Sequence, residues 1–129
     1  MRIPLLAGNW KLQPGTRGEA RKLAADVARG CRNLSGREVM IAPPFTALGD
    51  VAAAVEGSPV GVGAQDLYWE KSGAFTGEVS GAMLADAGCR YAIVGHSERR
   101  SLYGESDALV VLKAKGSTVR MVVTPSRSV

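Results

Sequence analysis

Short apolar runs alternate with amphipathic stretches along this chain. Ile3 to Ala7 is an apolar run bounded by Gly8. From Gly18 to Arg29, the residues Ala20, Leu23, Ala24, Val27 and Ala28 recur at the spacing of one helical face, and Gly30 closes the stretch. Val39 to Ala42 is a second strand-like run, stopped by Pro43 and Pro44. Leu48, Val51, Ala52 and Val55 make a second helical stripe, ended by Gly57, Ser58 and Pro59. Val60 to Ala64 reads as a third strand with glycines inside it, Tyr91 to Val94 as a fourth and Thr118 to Val123 as a fifth. Ser80 to Ala87 predicts a short helix with Gly88 at its C-cap. Ser106 N-caps a predicted helix running to about Lys115. Asp66 to Val79 breaks the alternation. It is polar, with aromatics and glycines, and predicts a long ordered loop of the kind that usually serves binding or an interface.

The first four strand-like runs end near positions 8, 42, 65 and 95, a recurrence of roughly 30 residues, which is the length of a βαβ unit. Their hydrophobicity is continuous rather than alternating. Strands buried on both faces read this way, so the pattern predicts an α/β fold: a parallel sheet with helices outside. Such sheets place ligands at the carboxyl ends of their strands. Asn9 and Lys11 follow the first strand, Gln65 and Asp66 the third, and His96 and Glu98 the fourth.

Composition narrows the function classes. The 129 residues suffice for one domain with a real core, and 46% hydrophobic with 22% charged residues is ordinary for a globular protein. No apolar stretch approaches the length of a membrane span, and the first residues are too short an apolar run for a signal peptide, so no membrane association and a cytoplasmic location are expected. The net charge of +4 comes from scattered basic residues not interleaved with aromatics, which argues against nucleic acid as a partner. The two cysteines, Cys31 and Cys89, lie in no metal-ligand spacing. No metal is expected, and free thiols suit a cytoplasmic chain.

His96 is the single histidine, and it stands where the apolar run Tyr91–Val94 gives way to Ser97-Glu98-Arg99-Arg100. Two readings compete for it: a hydrogen-bonded structural residue, or a proton-transfer group aimed into a cleft. At the start of a short helix the positive helix end disfavours the charged imidazole. A neutral ring can still donate to a carbonyl and pass a proton. With the cation Lys11 and the amide Asn9 beside it, this grouping suits enediol chemistry on an anionic carbonyl substrate.

Four blocks carry a resemblance. They are Gly8-Asn9-Trp10-Lys11, then Gly63-Ala64-Gln65-Asp66, then Gly73-Ala74-Phe75-Thr76-Gly77-Glu78, then Tyr91 to Arg100. In order and spacing they resemble the amino-terminal half of triose-phosphate isomerase. That resemblance implies parallel (β/α) units of a TIM barrel, about four to four-and-a-half of the usual eight, hence a partial barrel. It implies interconversion of dihydroxyacetone phosphate and D-glyceraldehyde 3-phosphate through an enediol, in glycolysis and gluconeogenesis, with no cofactor. Lys11 corresponds to the lysine that attracts the substrate and stabilises developing charge, and Asn9 to an asparagine that holds substrate and lysine. His96 corresponds to the electrophile of a family that is the type example of a neutral catalytic histidine. Glu98 corresponds to a supporting acid, and Ser97 is a further supporting candidate, equally well explained by a helix-start hydrogen bond. Residues Gly73, Ala74, Phe75, Thr76, Gly77 and Glu78 correspond to the loop that enters the partner subunit of a homodimer, with Thr76 at its tip.

The resemblance runs to about Lys115, through Gly104-Glu105-Ser106-Asp107-Ala108-Leu109-Val110. This suggests a division into residues 1–115, the amino-terminal half of the barrel, and 116–129, a divergent tail. The family's catalytic glutamate follows its sixth strand, and its phosphate-gripping loops come later still. Neither is expected in this chain, through natural truncation, a frame disruption or deliberate cutting. Glu70, Glu78 and Glu105 are not expected to replace the base. An uncovered apolar inner face and open sheet edges are also expected, surfaces prone to pairing. The alternative reading is a non-catalytic fragment that self-associates. A small doubly wound domain for phosphorylated ligands fits less well, because no glycine-rich dinucleotide or phosphate loop is present.

Overall fold

A computed structural model describes residues 2–123. Strand β1 is Leu5–Asn9, β2 Glu38–Ala42, β3 Val60–Ala64, β4 Tyr91–Val94 and β5 Arg120–Val123. They form one sheet in the order β1-β2-β3-β4-β5, with each neighbouring pair parallel. Helices α1 (Arg17–Gly30), α2 (Leu48–Val55), α3 (Gly81–Asp86), α4 (Ser97–Tyr103) and α5 (Asp107–Lys115) fill the connections, and a 3₁₀ turn at Phe45–Ala47 precedes α2. The βα order predicted from the 30-residue recurrence is therefore present. The fifth strand is shorter than the predicted 118–123, and it pairs in register from Tyr91 with Arg120 to Val94 with Val123. The rest of the expected tail, 124–129, lies outside the described residues.

Local signals explain most element ends. Thr16 caps α1 by accepting from Glu19 N, Ser80 caps α3 through Met83 N, and Ser106 caps α5 through Leu109 N. α1 runs one residue past its expected end and is capped at Cys31. Gly88 follows the C-cap Ala87 of α3 and takes φ +103°, a value that suits glycine.

Burial departs from expectation at the edges. β3 and β4 are buried along their whole length, as continuous apolar runs predict, but β1 and β5 are largely exposed. Ile3, Leu6 and Val123 face solvent because they sit on or beside strands with one neighbour each. Leu23 is likewise exposed, while Ala20 and Ala24 on the same helix are fully buried.

The inner face corrects the expectation of an uncovered apolar surface. Met40, Ala42, Tyr91 and Ile93 form a buried cluster there, with Leu5 and Val122 packed against it. The glycines of β3 make this possible. A Cβ on Gly61 would lie 2.8 Å from Tyr91 Cε2, and one on Gly63 would lie 2.7 Å from Met40 Sδ. Both large side chains can therefore cross the sheet centre. Tyr91 Oη donates to Glu38 Oε2 at 2.8 Å, and Arg120 Nη1 meets the same oxygen at 2.8 Å. The Tyr91 hydrogen bond, chief among several causes, holds the Glu38 carboxyl below its usual range. Gly61→Ala is expected to push the Tyr91 ring off Glu38 and cost about 1–3 kcal/mol, read as a lower urea midpoint at unchanged slope.

Both cysteines are free. Burial pushes the Cys89 thiol up to about 11, so little thiolate exists near neutrality. A thiol reagent is expected to modify the partly exposed Cys31 in the native chain and to reach Cys89 only after denaturation. Fast native labelling of Cys89 would contradict its packing.

Candidate functional site

The carboxyl ends of β1, β3 and β4 meet around an open cleft of about 500 Å³ whose lining includes Asn9, Lys11, Gln65, His96 and Glu98. Two depressions of about 480 Å³ each lie elsewhere, one between α1 and α2, the other among residues of α2, β3 and the turn before β4. The first offers two arginines paired with Asp50, and neither contains the residues that the strand ends bring together in the cleft.

The lysine is set by its backbone. Asn9 ends β1, and its Oδ1 accepts from Lys11 N at 2.9 Å. Lys11 has φ +58°, the one non-glycine residue in the left-handed region among those described. A conformation of this kind costs on the order of 1–3 kcal/mol and persists where neighbours enforce it. Gln65 is one such neighbour: its Nε2 donates to Lys11 O at 2.7 Å and to Ala42 O at 3.0 Å. The Lys11 side chain pairs with Glu98, whose Oε1 lies 2.7 Å from Nζ. Lys11, foremost through that contact, holds the Glu98 carboxyl below its usual range.

His96 is the N-cap of α4, and its Nδ1 accepts from Glu98 N at 3.1 Å. A ring nitrogen that accepts a backbone N–H carries no proton, so in the neutral ring the proton sits on Nε2. That leaves Nε2 as the ring's donor. The helix-start hydrogen bond considered for Ser97 is thus made by His96 instead. Ser97 is the first residue of α4, and its carbonyl accepts from Ser101 Oγ at 2.8 Å.

Asn9, Lys11, His96 and Glu98 therefore come together, as the spacing predicted. Residues 73–78 do not join them. They lie on the exposed loop after β3 and do not line this chain's cleft. The loop is ordered by stacking of Tyr68 on Trp69 at 4.1 Å and of Tyr68 near Phe75 at 4.8 Å. Glu70, Glu78 and Glu105 also lie outside the lining.

Sequence reading missed two parts of the site. Gln65 stands at a strand end in the sequence, with nothing local to mark its hold on the Lys11 backbone. Asp66 and Arg99, which line the cleft, join Glu105 and Lys113 behind it in a charge cluster. Lys113 Nζ is 2.7 Å from Asp66 Oδ1 and also pairs with Glu105 Oε1. Arg99 Nε lies 3.3 Å from Asp66 Oδ2 and 3.6 Å from Glu105 Oε2. Both are charge contacts rather than hydrogen bonds. The one hint in the sequence was Lys113, a cation three residues from Val110 on the buried side of α5.

Among the described residues no group of three or more His, Cys, Asp or Glu could hold a metal ion. Nor is any helix there long and apolar enough to cross a membrane.

A family model described as triosephosphate isomerase matches residues 4–123, a span that runs past Lys115 and includes β5. The triosephosphate isomerase of Chloroflexus aurantiacus is 59% identical over 117 residues, covering 91% of this chain and 46% of that protein. That of Roseiflexus sp. strain RS-1 is 52% identical over the same length, again covering 91% and 46%. Among solved structures, triosephosphate isomerase from Bartonella henselae matches with a TM-score of 0.85 at 36% identity, covering 95% of this chain and 51% of that one. The chain spans about half the length of the curated relatives it matches.

Proposed function

The chain belongs to the triosephosphate isomerase family, and from that membership we propose that Asn9, Lys11 and His96 form the electrophilic half of an isomerase site. The substrates are dihydroxyacetone phosphate and D-glyceraldehyde 3-phosphate, in a cytoplasmic, homodimeric enzyme of glycolysis and gluconeogenesis that uses no cofactor. The observation that carries this reading is that Asn9, Lys11 and His96 line one cleft, with His96 Nδ1 already committed to Glu98 N and Nε2 left as the ring's donor.

The chemistry follows from those groups. A carboxylate base removes the C1 proton of the ketone, and the electron pair moves to form the C1–C2 double bond while the C2 oxygen takes up negative charge. His96 Nε2–H donates to that oxygen, and the Lys11 ammonium lowers its charge. His96 gives its proton to the C2 oxygen and recovers one from the C1 hydroxyl. The base returns its proton to C2, and the aldehyde results. The base itself corresponds to a glutamate in the part of the relatives that this chain does not match. Residues 73–78 are the loop that reaches the partner subunit. Their exposure supports this, as do the solvent-facing Leu12, Leu102 and Tyr103 around the cleft.

The test is reconstitution. The chain is mixed with a separately made polypeptide covering the unmatched half of the Chloroflexus aurantiacus relative, and isomerase turnover is followed in a coupled assay. We expect background activity from either piece and clear turnover from their complex. A 1:1 complex without turnover would sink the isomerase reading.

A second reading, a non-catalytic fragment that pairs with itself, is favoured by the exposed edge strands β1 and β5. Concentration-dependent sedimentation of an inactive chain supports it, and a monomer at all concentrations excludes it.

A further inference from the structure

Helix α4 carries the cleft groups and yet has no hydrophobic anchor. His96 caps it and Glu98 sits in its first turn, but none of its residues is buried, and its apolar residues Leu102 and Tyr103 are 71% and 68% exposed. Elsewhere each helix has buried residues on its inner side. The position of α4 must therefore be set by polar ties. Arg100 Nε donates to Gly95 O at 3.2 Å, and its Nη1 pairs with Asp107 at 2.7 Å, though that carboxylate is 92% exposed. The other tie is Arg99, whose side chain is 33% exposed but faces Asp66 at the end of β3 and the buried Glu105 in the turn before α5. Lys113 on α5 neutralises both carboxylates from behind, and its side chain is only 7% exposed.

We propose that Asp66, Arg99, Glu105 and Lys113 are positioning residues that lock α4, and through it the His96 ring and Glu98, against the cleft. Its functional meaning rests on the isomerase reading. The physical claim does not, because its readout is the state of His96 and the Glu98 amide rather than turnover. Without Lys113 the two carboxylates repel each other and draw apart, so Arg99 can no longer face both; Glu98 and Arg99 are adjacent on one short helix, and its first turn frays. The Nδ1 to Glu98 N bond, which fixes the tautomer, is then lost.

The single histidine makes this measurable. The full chain is labelled with ¹⁵N-histidine for the ring, and with uniform ¹⁵N for the amides, and spectra are recorded above about pH 8. In the wild-type chain, two well-separated ring nitrogen signals are expected, from Nε2–H and bare Nδ1. In Lys113→Met they should move toward each other as tautomers mix, and the Glu98 amide should exchange about tenfold faster or more. Lys113→Arg, which keeps the charge, should restore both values. Leu84→Ala, a core truncation away from α4 that also lowers stability, should leave both unchanged. A folded Lys113→Met with wild-type ring signals and Glu98 exchange overturns the proposal. So does an equal shift in Leu84→Ala. If Lys113→Met does not fold, Asp66→Asn decides by the same criteria. Failure of reconstituted turnover with these shifts present would count against the isomerase reading alone.

Discussion

Lys113→Met is expected to lower the stability of the chain by about 3–5 kcal/mol, the range for removing one partner of a buried ion pair. The lysine side chain is 7% exposed, Glu105 2% and Asp66 14%. Taking these charges out of water is costly, and the structure offsets that cost by closing two cations around two anions. Without Lys113, two carboxylates face each other with Arg99 as their shared cation, at 3.3 and 3.6 Å. Glu105 is too deeply buried to regain water without local opening. Urea unfolding followed by far-UV circular dichroism reads the loss as a lower midpoint. A control separates charge burial from charge counting. Arg17→Ala removes a comparable pair with Asp50, but the arginine is 68% exposed, so the midpoint should barely move. The double variant Lys113→Met with Glu105→Leu should recover much of the loss, because a buried pair replaced by apolar groups leaves no orphaned charge. A Lys113→Met chain as stable as the wild type would mean that the cluster is hydrated in solution.

This cluster also marks where sequence reading stopped. The element order was legible because each element carries a local signal: an apolar run, a helical stripe, a serine or threonine cap. Asn9, Lys11, His96 and Glu98 were legible because the carboxyl ends of parallel strands gather at one edge of a sheet, whatever the intervening loops do. The pairing of Lys113 with Asp66 spans 47 positions, and no local pattern encodes it. The same holds for Gln65, whose part depends on the left-handed backbone at Lys11. Met40 and Tyr91 read as ordinary strand residues. Their crossing of the inner face depends on Gly61 and Gly63, two strands' worth of geometry away from any one-dimensional signal. The exposure of β1 and β5 could not be read from their apolar runs either, since an edge strand and a central strand differ in neighbours rather than in composition.

In the reconstituted complex, His96→Gln is expected to lower kcat by about 10²–10⁴-fold, the usual contribution of a positioned proton-transfer group, with a smaller change in KM. The glutamine amide can still offer an N–H to the C2 oxygen, so part of the electrostatic stabilisation survives. It cannot take a proton from the C1 hydroxyl while giving one to the C2 oxygen, because an amide has no accessible second protonation state near neutrality. The enediolate then has to exchange protons by a slower route. Lys11→Met should behave differently. An ammonium that attracts the phosphorylated substrate also stabilises the charged intermediate, so both KM and kcat should worsen, and the KM effect should shrink as salt screens the attraction. Ser97→Ala tests the assignment of the cap. The His96 ring, and not the Ser97 side chain, accepts from Glu98 N, so this variant should retain activity within severalfold. Turnover measured at saturating and limiting substrate, at low and high salt, separates the three. If His96→Gln left turnover intact, the Nε2 edge of the ring would not be the electrophile, and the cleft would need another donor for the C2 oxygen.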